Sequence, residues 1–129
     1  MEKELIKRLI EKTCFMNGIT TNDLKLVQTP FNTKIKYCLV YFLKENNVPD
    51  AVIKKELGYA KGTRLNRIYD IVEFGLFNDS QYKFWSGMIK RLYFTLIQRI
   101  QHEKDYNIFA FDILNKHTAE QTEIQFSSY

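Results

Sequence analysis

The chain has 129 residues, of which 45% are hydrophobic and 26% are charged, and its formal net charge is +4. This length is enough for one domain with a real core, and the composition is that of an ordinary globular protein. No apolar run approaches the roughly 18 residues that a membrane span needs. The N-terminus, MEKELIKRLIEK, alternates charged with apolar residues and lacks the apolar block of a signal peptide. We therefore expect a cytoplasmic protein that does not contact a membrane.

The potential metal ligands and nucleophiles are scattered along the sequence. Cys14 and Cys38 stand alone, with no CxxC spacing, which predicts buried, reduced thiols and no zinc site. His102 and His117 lie far apart among charged residues, so we expect them to be surface histidines. The sequence therefore predicts no metal, no cofactor and no enzymatic activity.

Apolar residues recur at helical spacing through most of the chain. This spacing predicts helical segments at 3–16, 20–26, 33–47, 49–57, 62–76 and 79–104. Residues 28–32 (QTPFN) are predicted as a loop because Pro30 disfavours a helical conformation in the residue before it, so Asn32 or Thr33 would cap the third helix. Gly58 is expected to end the fourth helix in the left-handed conformation.

The residues expected to face the core share these helical stripes. They are Leu5, Ile6, Leu9 and Ile10; Ile35, Cys38, Leu39, Phe42 and Leu43; Val52 or Ile53, with Leu57; Leu65, Ile68, Tyr69 and Val72; and Trp85, Met88, Ile89, Leu92, Tyr93, Leu96 and Ile100.

The C-terminal 25 residues carry a weaker pattern. YNIFAFDIL (106–114) fits either a short strand or a docked helix, and TAEQTEIQFSSY (118–129) is polar and expected to be loosely held. We therefore predict a helical domain at 1–104, followed by a C-terminal extension at 105–129 that is docked or partly disordered.

The charge is unevenly distributed. Residues 51–67 contain five basic residues and one acidic residue, a net charge of +4, whereas residues 101–129 have a net charge of −3. A basic segment of this kind favours an anionic partner, but a solvated helix face would give the same pattern.

The basic segment also has the order of a helix-turn-helix. VIKKELGYAKGTRLNRIYDIV supplies a short helix, a turn with glycine and a second helix. On the second helix the residues opposite the packed side, or at its edge, are Lys61, Thr63, Arg64, Asn66 and Arg67. Arginine, asparagine and threonine can contact base edges, and lysine binds phosphate.

Residues from about Cys14 to Thr95 resemble the C-terminal DNA-binding domain of the bacterial replication initiator DnaA. CFMNGITTNDLK is similar to the opening of that domain, TKIKYCLVYFLKENNVPDAVIKKELGY to its long helix and the segment after it, and NDSQYKFWSGMIKRL to its last helix. The signature RDHTTV of the family aligns with Ala60–Leu65, where Thr63 is the matching residue. The basic loop of the family aligns with VQTPFNTKIK, which contains Lys34 and Lys36.

The resemblance implies an all-α bundle with a Trp-repressor-like helix-turn-helix, of bacterial or phage origin, that binds double-stranded DNA without the ATPase module of the initiator. In this hypothesis phosphates are bound by Lys34, Lys36, Lys54, Lys55 and Lys61, and bases are read by Thr63, Arg64, Asn66 and Arg67. The alternative hypothesis is a protein–protein adaptor that has kept the fold and lost DNA binding. It would bind a partner, or a second copy of itself, through Ile71, Phe74 or the long helix.

Overall fold

Six helices make up the protein in our computed structural model, which describes the backbone of residues 1–124 and the side chains of residues 1–110 and 112–114. They are α1 (Lys3–Met16), α2 (Thr21–Leu26), α3 (Pro30–Glu45), α4 (Asp50–Leu57), α5 (Leu65–Asn78) and α6 (Ser80–Ile124). The predicted all-α class is confirmed, since residues 1–124 contain no strand. None of the helices described is both long enough and apolar enough to cross a membrane.

The chain divides into two units, Met1–Leu96 and Ile97–Tyr129, whereas the sequence placed the boundary at residue 104. In the first unit, α3 contacts α2, α4 and α5. The predicted stripes of α1, α3 and α5 form the core, and Ile35, Leu39 and Leu43 are fully buried. On α4 the inward residue is Ile53, with Val52 only half-buried. Five residues predicted to lie in the core are half-buried instead: Tyr69, Met88, Leu92, Tyr93 and Ile100.

The second unit contains the rest of α6. The prediction that this helix ends near residue 104 is wrong, and so is the strand alternative for residues 106–114, because α6 continues to Ile124. The sequence offers no break, since the chain contains neither glycine nor proline after Gly87. The predicted loose end includes residues 125–129, which lie outside the described residues.

Helix α3 begins at Pro30, three residues before its predicted start. The Thr29 hydroxyl accepts a hydrogen bond from the Asn32 backbone amide at 3.1 Å, so Thr29 is the N-cap. Proline is favourable in the first helical turn because its missing N–H is not needed there. The predicted loop at 28–32 is therefore confirmed only for residues 28 and 29, and the predicted cap at Asn32 or Thr33 is wrong. The Asn32 side chain instead donates to the Val27 carbonyl at 3.1 Å and ties α3 to the end of α2.

Helix α5 begins at Leu65, three residues after its predicted start at 62. Lys61, Gly62 and Thr63 consequently belong to the turn, in which the Thr63 backbone amide donates to the Ala60 carbonyl at 3.1 Å. No side chain caps this helix, and the N-cap residue is Arg64. The prediction began the helix too early because the apolar spacing that follows Leu65 does not mark where the turn ends.

Gly58 ends α4 as predicted, with φ 73° and ψ 29° in the left-handed region. The Tyr59 backbone amide then donates to the Lys54 carbonyl at 2.8 Å, which closes the end of the helix. A Cβ atom at position 58 would lie 3.1 Å from the Lys25 Cγ, so both the backbone conformation and the space favour glycine.

We expect Gly58→Val to lower the free energy of unfolding by about 1 kcal/mol or more, because a β-branched residue is strained in the left-handed region. Thermal melting followed by circular dichroism measures this as a fall in Tm of about 4 °C per kcal/mol. Gly62→Val is the control, since a Cβ at position 62 meets no atom within 4 Å. An unchanged Tm for Gly58→Val would contradict the assigned end of α4.

Candidate nucleic-acid interface

The turn between α4 and α5 covers residues 58–64 and is tied to the helix before it. The Lys54 ammonium donates to the Lys61 carbonyl at 2.6 Å, across the turn. Lys54 is half-buried. Lys54 was predicted to contact phosphate, but this hydrogen bond indicates that it holds the turn in place.

The other predicted residues of this segment remain open to solvent. Thr63 is half-buried, and five side chains are exposed: Lys55, Lys61, Arg64, Asn66 and Arg67. Within the described side chains, ion pairs join Arg8 to Glu4, Lys34 to Asp79 and Lys44 to Asp50, and none involves the cations of the turn. The turn therefore presents positive charge that no carboxylate of the described residues neutralises.

The first turn of α5 adds backbone donors to this surface. The first amides of a helix lack carbonyl partners within the helix, and no side chain caps those of α5. Amides in this position favour a negatively charged group such as phosphate. The first turn carries Asn66 and Arg67, with Arg64 at the N-cap, so side-chain and backbone donors lie on the same short stretch of chain.

Lys36 joins this surface from α3. Its ammonium lies 4.0 Å from the centroid of the ring of Tyr59, the residue that follows Gly58 in the turn. Burial lowers the pKa of Lys36, and the positive charge of Lys25 lowers it further. Lys25, a further basic residue close to this surface, was not predicted from the sequence. No local pattern reveals it, because the contact of its side chain with the Gly58 turn joins α2 to a point more than thirty residues further along the chain.

Lys34, two residues before Lys36, does not join them. Residues two apart point to different sides of a helix, and the Lys34 ammonium lies 2.8 Å from Asp79 Oδ2 and 2.7 Å from Gln81 Oε1. The hydrogen bond from Lys34, followed by that from the Gln81 backbone amide, lowers the pKa of the Asp79 carboxyl. The structure thus supplies Lys34 with an anionic partner at the start of α6.

An apolar surface lies further along α5. Ile71, Phe74 and Phe77 are spaced by three residues and are 38%, 71% and 81% exposed. Ile71 and Phe74, the residues named in the adaptor hypothesis, are thus exposed. Phe77 was missed, although its spacing from Phe74 was the available signal.

The cysteines and histidines were predicted not to form a metal or catalytic site. Cys14 and Cys38 are buried free thiols, as predicted, and burial raises the pKa of each to about 11. His102 is exposed, and the side chain of His117 lies outside the described residues. No group of three or more potential metal ligands occurs in the part of the chain that the structure describes.

No family model, no curated protein and no solved structure matches this chain. The likeness to the DnaA domain therefore rests on the sequence motifs between Cys14 and Thr95.

The contact between Lys34 and Asp79 makes a testable prediction. We expect an NMR titration of the wild-type protein to give an Asp79 pKa below 3.8, the ordinary value. Lys34→Gln should raise this pKa, whereas Lys44→Gln should leave it unchanged, because Lys44 pairs with Asp50. Since the folded-state pKa is depressed, the stability contributed by this contact is present at neutral pH and is lost as the pH falls through that pKa. An Asp79 pKa that does not respond to Lys34→Gln would show that the Lys34 ammonium is free for another partner.

Proposed function

We propose that this protein binds double-stranded DNA, without catalysis, through the turn between α4 and α5 and the first turn of α5. The observation that carries the proposal is the exposure of Lys61, Arg64 and Arg67 with no ion-pair partner among the described residues. Acidic residues are absent from 57–69, so the charge of this stretch is purely positive. Neutralisation of DNA phosphates by such side chains releases bound counterions and drives association.

In this proposal α4 and α5 form a helix-turn-helix of the Trp-repressor-like kind that the DnaA resemblance implies. The seven-residue connection, 58–64, is longer than the three or four residues usual for this motif. The longer turn changes the assignment of roles. Arg64, Asn66 and Arg67, at the start of α5, are the proposed base-reading residues. Lys61 and Thr63, in the turn, are proposed to contact phosphate.

The proposed phosphate contacts come from two elements of the fold. Lys55 near the end of α4 and Lys61 in the turn are exposed, and Lys36 approaches the turn from α3. Contacts of this kind set the position of the protein on the duplex and carry no sequence information themselves. Lys54 and Lys34 are left out of the contact set, because the first holds the Lys61 carbonyl and the second is paired with Asp79.

Arg64→Ala tests the proposal. We expect it to weaken binding to the preferred duplex by roughly 1–3 kcal/mol and to relax the preference at one base position, because arginine can bridge two acceptors on guanine. The Tm should change little, since substitutions of exposed residues usually shift stability by only about 0.5 kcal/mol. The preferred site is selected first from a random duplex library, and affinities are then measured by fluorescence anisotropy.

Arg91→Ala is the matched control, because Arg91 is also an exposed arginine of the first unit but lies on α6. Equal affinities of Arg64→Ala, Arg91→Ala and the wild type for the selected duplex would contradict base reading by α5.

A second candidate function is that of a protein–protein adaptor. The specific observation in its favour is the exposure of Phe74 and Phe77, since large exposed aromatic side chains are typical of interaction surfaces.

The two functions differ in their response to Phe77→Glu. Under the DNA-binding proposal this variant should bind duplex DNA within about twofold of the wild type, a change of roughly 0.4 kcal/mol. Under the adaptor hypothesis the wild type binds DNA only weakly, and Phe77→Glu should bind it equally weakly. It should also lose a self-association or partner complex seen by analytical ultracentrifugation. Loss of a complex together with unmeasurable DNA binding by the wild type would select the adaptor.

A further inference from the structure

A pocket of about 150 Å³ opens beside Tyr59, next to the turn. Its polar lining includes Gln28, Thr33 and Lys36. Each water molecule of the liquid takes up about 30 Å³, so the pocket has room for roughly five waters or for one tetrahedral phosphate group. Pockets that hold whole drug-sized molecules are larger, about 300 Å³ or more. The size therefore suits a small group rather than a large ligand.

The charge in this pocket comes from Lys36. Its ammonium lies over the Tyr59 ring, 4.0 Å from the centroid, and the side chain is half-buried. No ion pair of the described residues includes Lys36. A partly desolvated cation without a counter-charge is stabilised by an anion placed beside it.

A second cation, Lys25, lies close enough to lower the pKa of Lys36. Its aliphatic stem packs against Gly58. Lys25 also lines a neighbouring pocket with Glu11 and Glu56, although it forms an ion pair with neither of them. Lys36 is therefore the principal cation of the pocket beside Tyr59, and Lys25 adds positive charge at longer range.

Neutral donors complete the lining. Thr33 supplies a hydroxyl and Gln28 a carboxamide. Phosphate oxygens accept hydrogen bonds from both of these groups.

We propose that this pocket binds one phosphate group of the DNA backbone, with Lys36 as its cation and with the Thr33 hydroxyl and the Gln28 carboxamide as further donors. The inference rests on the proposed function, because Tyr59 belongs both to the pocket and to the turn that is proposed to lie on DNA. It adds a fixed anchor for one phosphate at the α3 side of the turn. A free phosphate ion has the same chemistry, so the test separates the two sources.

The first arm of the test uses inorganic phosphate and the ¹⁵N-labelled full chain, at an ionic strength held constant with chloride. We expect saturable NMR shifts at residues 33–37 and at Tyr59. Lys36→Gln should abolish them. Lys34→Gln is the matched control, because it makes the same change two residues away at a lysine already paired with Asp79, and it should retain them. Equal responses of the wild type and Lys36→Gln would overturn the proposal.

The second arm measures binding of the same three proteins to random duplex DNA over a series of salt concentrations. Lys36→Gln should weaken binding about tenfold at low salt and reduce the slope of log K against log salt by about one unit. Lys34→Gln should match the wild type in both. Melting temperatures of the variants show whether each remains folded.

The outcomes distinguish failure of the proposed phosphate-binding pocket from failure of the proposed DNA binding. If the wild type binds DNA and Lys36→Gln binds it with the same slope of log K against log salt, the pocket does not bind a DNA phosphate, although the proposed DNA binding stands. A salt slope that depends on Lys36, without any NMR response to inorganic phosphate, also contradicts the phosphate-binding pocket, because Lys36 then contacts DNA only as a surface residue. If the wild type binds phosphate through Lys36 but does not bind DNA, both the DNA source and the proposed function fail, and the pocket is a site for free phosphate.

Discussion

Burial of the inner face of α3 is the interaction on which the first unit depends. Ile35, Leu39 and Leu43 are fully buried on this helix, which contacts α2, α4 and α5 and also packs Phe42 against Tyr93 of α6. Burial of each such side chain stabilises the fold by about 1.5–3 kcal/mol relative to exposure. The same helix is fixed at its start by the Thr29 cap and by the hydrogen bond from Asn32 to Val27. Because α3 contacts both α4 and α5, its position determines where each end of the basic turn lies.

The electrostatics of the candidate interface follow from this arrangement. Helix α3 carries Lys34 and Lys36 in different directions, and the fold gives the first an acidic partner and the second an aromatic ring. The same fold leaves Lys61, Arg64 and Arg67 exposed without a partner among the described residues. Exposed ion pairs contribute little stability, typically about 0–1 kcal/mol. Folding therefore does not require the cations of the turn to be paired, and their charge remains available to an anionic ligand.

The sequence predicted those features that depend on local periodicity. Ile68 and Val72 are buried, Gly58 is left-handed, and α1, α2 and α4 lie within one residue of their predicted bounds. Spacing and glycine conformation are properties of a few neighbouring residues, which is why they could be predicted. The extension of α6 beyond residue 104 was also open to prediction from the absence of glycine and proline. The start of α5 was harder, since no capping side chain marks it. The engagement of Lys34 by Asp79 and the approach of Lys25 to Gly58 could not be predicted, because these contacts join residues 45 and 33 positions apart.

The proposed interface is tested most directly by mapping the DNA-binding surface on the protein itself. Duplex DNA of random sequence is titrated at low salt into the ¹⁵N-labelled chain, and the changes in backbone amide shifts are followed residue by residue. We expect the largest changes at residues 58–67 and at Lys36, and we expect them to decrease steeply as salt is added. Largest changes around Ile71, Phe74 and Phe77, or no changes at low salt, would contradict the proposed interface.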